Sequence, residues 1–135
     1  AVLGAYIKRR GNLLFIMEGA ETVEIPELYR ALDESFANIR LLGADCAMDC
    51  PTEGTLLCRD AARVYDFFEG VTEEAMESLE TVWLKVREAE NVFVFNFAFV
   101  CGESLAAFGD VADRCVFEDG AWCFTLRIRK AGDGQ

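Results

Sequence analysis

Residues 61–79 read AARVYDFFEGVTEEAMESL, and the period of the chain changes directly beyond them. Ala61, Val64, Tyr65, Phe68, Val71, Ala75 and Leu79 recur at helical spacing and predict a helix with one buried face. From Thr81 the period falls to two: Val82, Leu84 and Val86 alternate with Thr81, Trp83, Lys85 and Arg87, the pattern of a half-buried strand. Residues 92–100, VFVFNFAFV, are apolar except for Asn96 and predict a central strand covered on both faces. A buried Asn96 needs its hydrogen bonds met, by a neighbouring loop rather than by a ligand. A helix followed by strands is the frame into which the rest of the chain must fit.

Within the helix, Glu69, Glu73 and Glu77 follow one another at intervals of four. At about 100° per residue this row drifts from the edge of the buried face towards solvent, so Glu69 is the most enclosed and Glu77 the most exposed. Taken alone, the row is the solvated acidic side of a core helix.

Upstream, Val2, Leu3, Tyr6, Ile7, Leu13, Leu14 and Met17 fit a helical stripe interrupted by Lys8, Arg9 and Arg10, a basic cluster that in an acidic protein pairs with its own carboxylates. Gly4 and Gly11 weaken such a helix by roughly 1 kcal/mol each, so it depends on a partner surface. A second helix is expected from Pro26, with Leu28, Tyr29, Leu32, Phe36 and Ile39 on one face and Gly43 at its C-terminus. Residues 44–48 read as a short strand and residues 51–54, PTEG, as a turn. Residues 55–58 are either a strand or the lead-in to the next helix. Residues 101–111 carry two glycines and no clear period, which predicts a loop or short helical excursion. Arg114–Glu118 and Ala121–Arg129 form a hairpin about Asp119-Gly120, with Trp122, Phe124, Leu126 and Ile128 sharing a face. This order predicts an α+β fold, a two-layer sandwich with helices packed on one face of a mixed, mainly antiparallel sheet.

The chain has 135 residues and a formal charge of -11, from 24 acidic and 13 basic residues. A chain of this length suits one domain that buries roughly two thirds of its unfolded surface. The charge opposes phosphate backbones and anionic lipid, so no nucleic acid and no direct membrane contact is expected. No apolar run approaches the roughly 18 to 20 residues of a membrane span, and the first residues are not those of a signal peptide, which together point to the cytoplasm. The start without Met, in what reads as mid-helix, is expected of a piece cut from a longer protein. There is no His, which removes every Ser-His-Asp and Cys-His arrangement and any phosphoacceptor histidine from these residues. The six Cys form no CxxC, and Cys101, Cys115 and Cys123 lie in or beside strand-like runs, so reduced, structural thiols are expected.

Four stretches, YIKRRGNLLFI (6–16), ELYRALDESFANIRLLGADC (27–46), VYDFFEGVTEEAM (64–76) and DGAWCFTLRIRKAG (119–132), carry a resemblance that spans nearly the whole chain. Together they resemble the C-terminal ATPase-like part of bacterial two-component sensor histidine kinases. The resemblance implies that residues 1–24 are a helical segment from the end of a dimerisation region and residues 25–135 the ATPase-like domain. It implies ATP and Mg²⁺ as cofactors, and as partners the upstream dimerisation and histidine domain, a response regulator and a second copy in a homodimer. The third stretch is similar to the family's N-box helix, which reads Glu-x-x-x-Asn followed four residues later by a basic residue or His. On that match Glu69 takes the catalytic Glu position, and Glu73 takes the Mg²⁺-binding and cofactor-binding Asn position, where a carboxylate still offers the oxygen ligands that Mg²⁺ prefers. Glu77 stands where the family has a basic group. The family's glycine boxes, DxGxG and GxGxG, are absent: after VFVFNFAFV comes only CGESLAAFGD. Two functions are therefore implied, a divergent ATP-binding domain transferring a phosphoryl group to a histidine outside these residues, or a catalytically inactive kinase-like domain serving dimerisation or regulation. A small-molecule binding protein of unrelated lineage is the third reading.

Overall fold

The computed structural model describes residues 22–51 and 53–131. In chain order these form β1 (Thr22–Glu24), α1 (Ile25–Leu41), β2 (Asp45–Asp49), β3 (Thr55–Leu57), α2 (Cys58–Ala75), β4 (Thr81–Glu88), β5 (Val92–Val100), a short 3₁₀ helix (Ala106–Asp110), β6 (Arg114–Glu118) and β7 (Ala121–Arg129). The expected helix over the apolar stripe of residues 2–17 and the Lys8, Arg9, Arg10 cluster lie outside the described residues.

Five strands make the main sheet in the order β2-β4-β5-β7-β6, with only the β2–β4 pair parallel. Both helices pack on one face of it, giving the two-layer α+β sandwich. β1 and β3 form a separate antiparallel pair in which Thr22 faces Leu57 and Glu24 faces Thr55. Residues 22–24 fall in the stretch 1–24 expected to be helical, but Thr22–Glu24 form a strand, which three residues are too short to show as a period.

α1 buries Ile25, Leu28, Leu32, Phe36 and Ile39, with Pro26 in its first turn, where a missing N–H costs nothing. It ends in the expected way. Gly43 lies at φ 102°, its N–H bonds to the Arg40 carbonyl at 3.0 Å, and the Ala44 N–H reaches back to the Ile39 carbonyl at 3.4 Å. This is the Schellman arrangement that satisfies the last carbonyls of a helix. Asp119 at φ 53° and Gly120 at φ 80° make the hairpin turn between β6 and β7.

Two expectations need correction. α2 starts at Cys58, three residues earlier than its apolar pattern indicated, and stops at Ala75, so Glu77 and Leu79 lie beyond it. The Ser78 N–H turns back to the Ala75 carbonyl at 2.9 Å and the Ser78 hydroxyl accepts the Gly102 N–H at 3.0 Å, which draws the chain off the helix axis toward the sheet. β5 is central, but helices cover only one of its faces. Phe93, Phe95, Phe97 and Phe99 point into the core at 1% exposure or less, while Val92, Asn96, Ala98 and Val100 on the other face are half-buried. The near-continuous apolar run hid this alternation. Asn96 is accordingly not in the core, and its Oδ1 accepts the Thr125 hydroxyl at 3.0 Å from β7, a strand rather than a loop.

The core is dominated by aromatic rings from α2 meeting the Phe ladder of β5. Phe68 stacks on Phe97 at 5.8 Å between centroids and on Phe36 of α1 at 5.2 Å, while Phe67 meets Phe124 edge-on at 5.1 Å. Burying a side chain of this size stabilises the fold by roughly 1.5–3 kcal/mol, and the tilted contacts add to that. Gly54 is required by this packing. Its φ is 143°, and a Cβ there would lie 2.1 Å from the Phe93 ring, so the loop before β3 closes directly over the aromatic ladder.

Candidate functional site

α2 packs beside α1 on the same face of the sheet, and its residues divide among three environments. The side that meets α1 carries Glu69. That side chain is 3% exposed, and its Oε2 accepts the Ser35 hydroxyl at 3.3 Å. A crevice of only about 30 Å³ adjoins the pair, bordered by Asn38, Leu42, Thr72 and Met76. Glu73 is exposed one turn further on, and Glu77 is exposed on the turn beyond the helix. The three glutamates therefore do not converge: one is inside the helix pair and two are in solvent.

The opening in the domain is elsewhere. A cleft of about 670 Å³ runs between α2 and the 3₁₀ helix, lined by Arg63, Asp66 and Phe67 on one wall and by Ala107, Phe108 and Val111 on the other. Its size is that of a small-ligand site, which commonly spans roughly 300–1,000 Å³. Phe108 packs edge-on to Phe67 at 6.4 Å between centroids. Below it is Gly70, where a Cβ would come within 3.4 Å of the Phe108 ring. Arg63 is engaged at the rim: its guanidinium donates to the Val111 carbonyl at 3.2 Å and lies 3.7 Å from Asp113 Oδ1. The same Asp113 holds the Arg127 backbone N–H at 2.7 Å, so Arg63, Asp113 and β7 brace the end of the 3₁₀ segment.

The cleft-lining residues Arg63, Asp66 and Phe67 stand at i, i+3 and i+4 on one stripe of α2, which Gly70, beneath Phe108, continues at i+7. The resemblance to the N-box selects the neighbouring stripe, which carries Glu69 and Glu73. The signal for the stripe that borders the cleft is weak, since Phe67 and Gly70 look like core and helix filler until the 3₁₀ helix is placed against them.

Among the described residues no three His, Cys, Asp or Glu side chains come together as a metal site. No disulfide joins the described cysteines. Burial pushes the Cys50 thiol up to about 11, with the Tyr29 hydroxyl beside it acting the other way. Burial also raises Tyr29, and the adjacent Cys50 adds to the shift. Cys46, Cys58, Cys115 and Cys123 are raised as well, burial being the first cause in each. Thiols held protonated in this way are structural rather than nucleophilic. No helix among the described residues is long and apolar enough to cross a membrane.

No family model and no curated protein matches the chain by sequence. Solved structures do match by fold. The nucleotide-free catalytic domain of the histidine kinase ThkA superposes with a TM-score of 0.60 at 12% identity, covering 81% of this chain and 94% of that one. The histidine kinase AdeS of Acinetobacter baumannii gives 0.59 at 9% identity over 97% of this chain and 80% of its own. ThkA in complex with the response regulator protein TrrA gives 0.59 at 11% identity, covering 99% of this chain and 51% of that one. At such identities the likeness is one of backbone architecture: the chain has the α+β fold of histidine kinase catalytic domains.

Proposed function

We propose that this domain keeps the histidine kinase catalytic fold but has given up phosphoryl transfer, and serves as a regulatory or interaction module within a signalling protein. One observation carries the reading. Asp66 lines the cleft and Gly70, four residues on, lies beneath Phe108, so if the family's Glu-x-x-x-Asn pattern is set on this stripe the carboxylate is kept and the side chain that would hold Mg²⁺ is missing. The remaining parts agree. Phe108 lies over Gly70, Arg63 is tied to Val111 and Asp113, and residues 101–110 have no glycine-rich turn to bring backbone N–H groups to a triphosphate. These features speak against a magnesium nucleotide, and Glu69 and Glu73, given their roles by the N-box resemblance, stand inside the helix pair and in solvent. The partners that follow from this reading are the chain's own dimerisation and histidine region, a response regulator of the kind seen with ThkA, or a second copy. The expected setting is cytoplasmic.

Calorimetric titration with Mg-ATP and Mg-ADP tests the proposal. No heat and no thermal shift at millimolar nucleotide are expected. Saturable, Mg²⁺-dependent binding that disappears on Asp66→Ala would overturn it. That result would establish the second reading, a divergent ATP-binding domain, which the cleft volume of about 670 Å³ and the carboxylate on its wall favour.

A further inference from the structure

The outer face of the sheet has a character that the total charge conceals. Alternation along β4, β6 and β7 sends Lys85, Arg87, Arg114, Arg127 and Arg129 to the side away from the helices, and all five are exposed. The register sets them in rows. Asp49, Lys85, Asn96, Thr125 and Arg114 lie side by side across all five strands, with the one acidic member at the β2 edge, and Arg87, Val94 and Arg127 lie across three. None of these five cations has a carboxylate within ion-pair distance among the described residues, whereas the other described basic residues include Arg30, Arg63 and Lys130, each of which does. On this side acidic groups are marginal: Asp45 and Asp49 lie on the edge strand β2, and Glu118 lies at the end of β6.

Beside the basic rows lies an uncharged one. Ala47, Trp83, Ala98, Cys123 and Val116 are in register across all five strands, and Trp83 stands out of it at 59% exposure. Val94, between Arg87 and Arg127, is only 3% exposed, so it lies covered beneath its neighbours and the exposed apolar part of this face is the row of Trp83. Tryptophan and arginine around an apolar centre are the side chains that most often dominate binding energy at protein interfaces. In a chain of net charge -11, a face of this sign is complementary to acidic surfaces and set apart from the rest of the molecule.

We propose that this outer sheet face docks an acidic protein segment, one rich in Asp and Glu with an apolar side chain to cover Trp83. Adjacent strands lie roughly 4.8 Å apart, so Arg87 and Arg127, two strands apart, present cations about 10 Å from each other. A segment crossing the strands meets the two cations in turn, with exposed Trp83 beside them. The Asn96 amide, its oxygen taken by Thr125, offers N–H donors to a carboxylate between Lys85 and Arg114. The helices and the cleft are on the opposite side of the sheet, so this inference stands or falls independently of whether the cleft takes nucleotide.

The test uses the full chain, a synthetic Glu-rich peptide carrying a few Leu residues, the same peptide with Gln for Glu, and an oligo-dT strand, followed by calorimetry and tryptophan emission. The acidic peptide is expected to bind, to shift an emission component that Trp83→Phe removes, and to weaken with added salt. The double variant Arg87→Glu/Arg127→Glu should weaken it about tenfold or more while keeping the wild-type melting profile. Trp83→Ala is the second variant and should weaken binding without altering its salt dependence. Equal binding of the Gln peptide, full affinity in both variants, or tighter binding of oligo-dT would overturn the proposal. So would a concentration-dependent dimer abolished by the charge reversal, which would make the occupant a second copy.

Discussion

The Ser35 hydroxyl donates to the Glu69 carboxylate at 3.3 Å across the interface of the two helices, and both side chains are buried. This gives Glu69 a structural task. Glu69→Gln keeps an acceptor and should change unfolding free energy by less than about 1 kcal/mol, whereas Glu69→Ala leaves Ser35 unmatched and should cost about 1–3 kcal/mol. Glu73→Lys, on an exposed position, should stay within about 0.5 kcal/mol. Urea titration of the three variants decides. A stabilising Glu69→Ala would instead mark a carboxylate held there at the expense of the fold.

Gly70 is an interior helix residue under Phe108. Gly70→Ala removes the conformational freedom of glycine and fits at ordinary contact distance from the ring, so it should stabilise by about 0.5–1 kcal/mol. Gly70→Asn has no such room and must displace Phe108, with an expected loss of roughly 1–3 kcal/mol. Thermal melts of both would show whether the 3₁₀ segment is packed or loose over the cleft.

A methyl group at Gly54 would overlap the Phe93 ring and would also force a non-glycine residue to φ 143°. Gly54→Ala should therefore lose roughly 2–4 kcal/mol. The double variant Gly54→Ala/Phe93→Leu should recover part of it in denaturant melts, because only the steric component is relieved. Complete recovery would show that backbone strain contributes nothing.

Cys50 supplies a pH dependence. Its folded-state pKa is raised to about 11 from an ordinary 9.0. Between these values the unfolded chain gives up the proton and the folded chain keeps it, so stability falls as pH rises through this window and is fully present below pH 9. Tyr29, raised mainly by burial, acts in the same direction at higher pH. Melting temperatures at intervals across the window should decline, and Cys50→Ala should flatten the decline. In the native protein at neutral pH, iodoacetamide should modify Cys50 more slowly than it does after denaturation.

How far the chain could be read depends on whether a residue has one neighbour surface or several. α1 has a single buried stripe ended by Gly43, β4 alternates cleanly, and Asp119-Gly120 supplies the turn conformation, so all three were legible. α2 was legible as a helix, in its buried stripe and in the enclosure of Glu69, but not in which of its residues border the cleft. It is buried against α1 through Glu69 and Phe68 and against the sheet through Phe67, which leaves no simple amphipathic split to indicate the cleft. Asp66 and Glu69 are about 60° apart around the axis, enough to put one in the cleft and the other between helices. β1 has too few residues for any period, and the basic sheet face emerges only when three strands are laid side by side. Summed charge averages that face away.

The pairing of β1 with β3 determines where the chain before Thr22 is attached. Leu57, opposite Thr22, is the residue from which α2 begins, and the Ile25 N–H is bonded to the Gly54 carbonyl at 2.8 Å. The clasp therefore holds Thr22–Glu24 at the head of α2, and the Ala131 N–H on the Thr55 carbonyl at 2.8 Å ties it to the end of β7 as well. A displacement at Thr22 is thus shared between the helix that walls the cleft and the sheet, which makes this two-stranded clasp a junction where the two layers can be moved together.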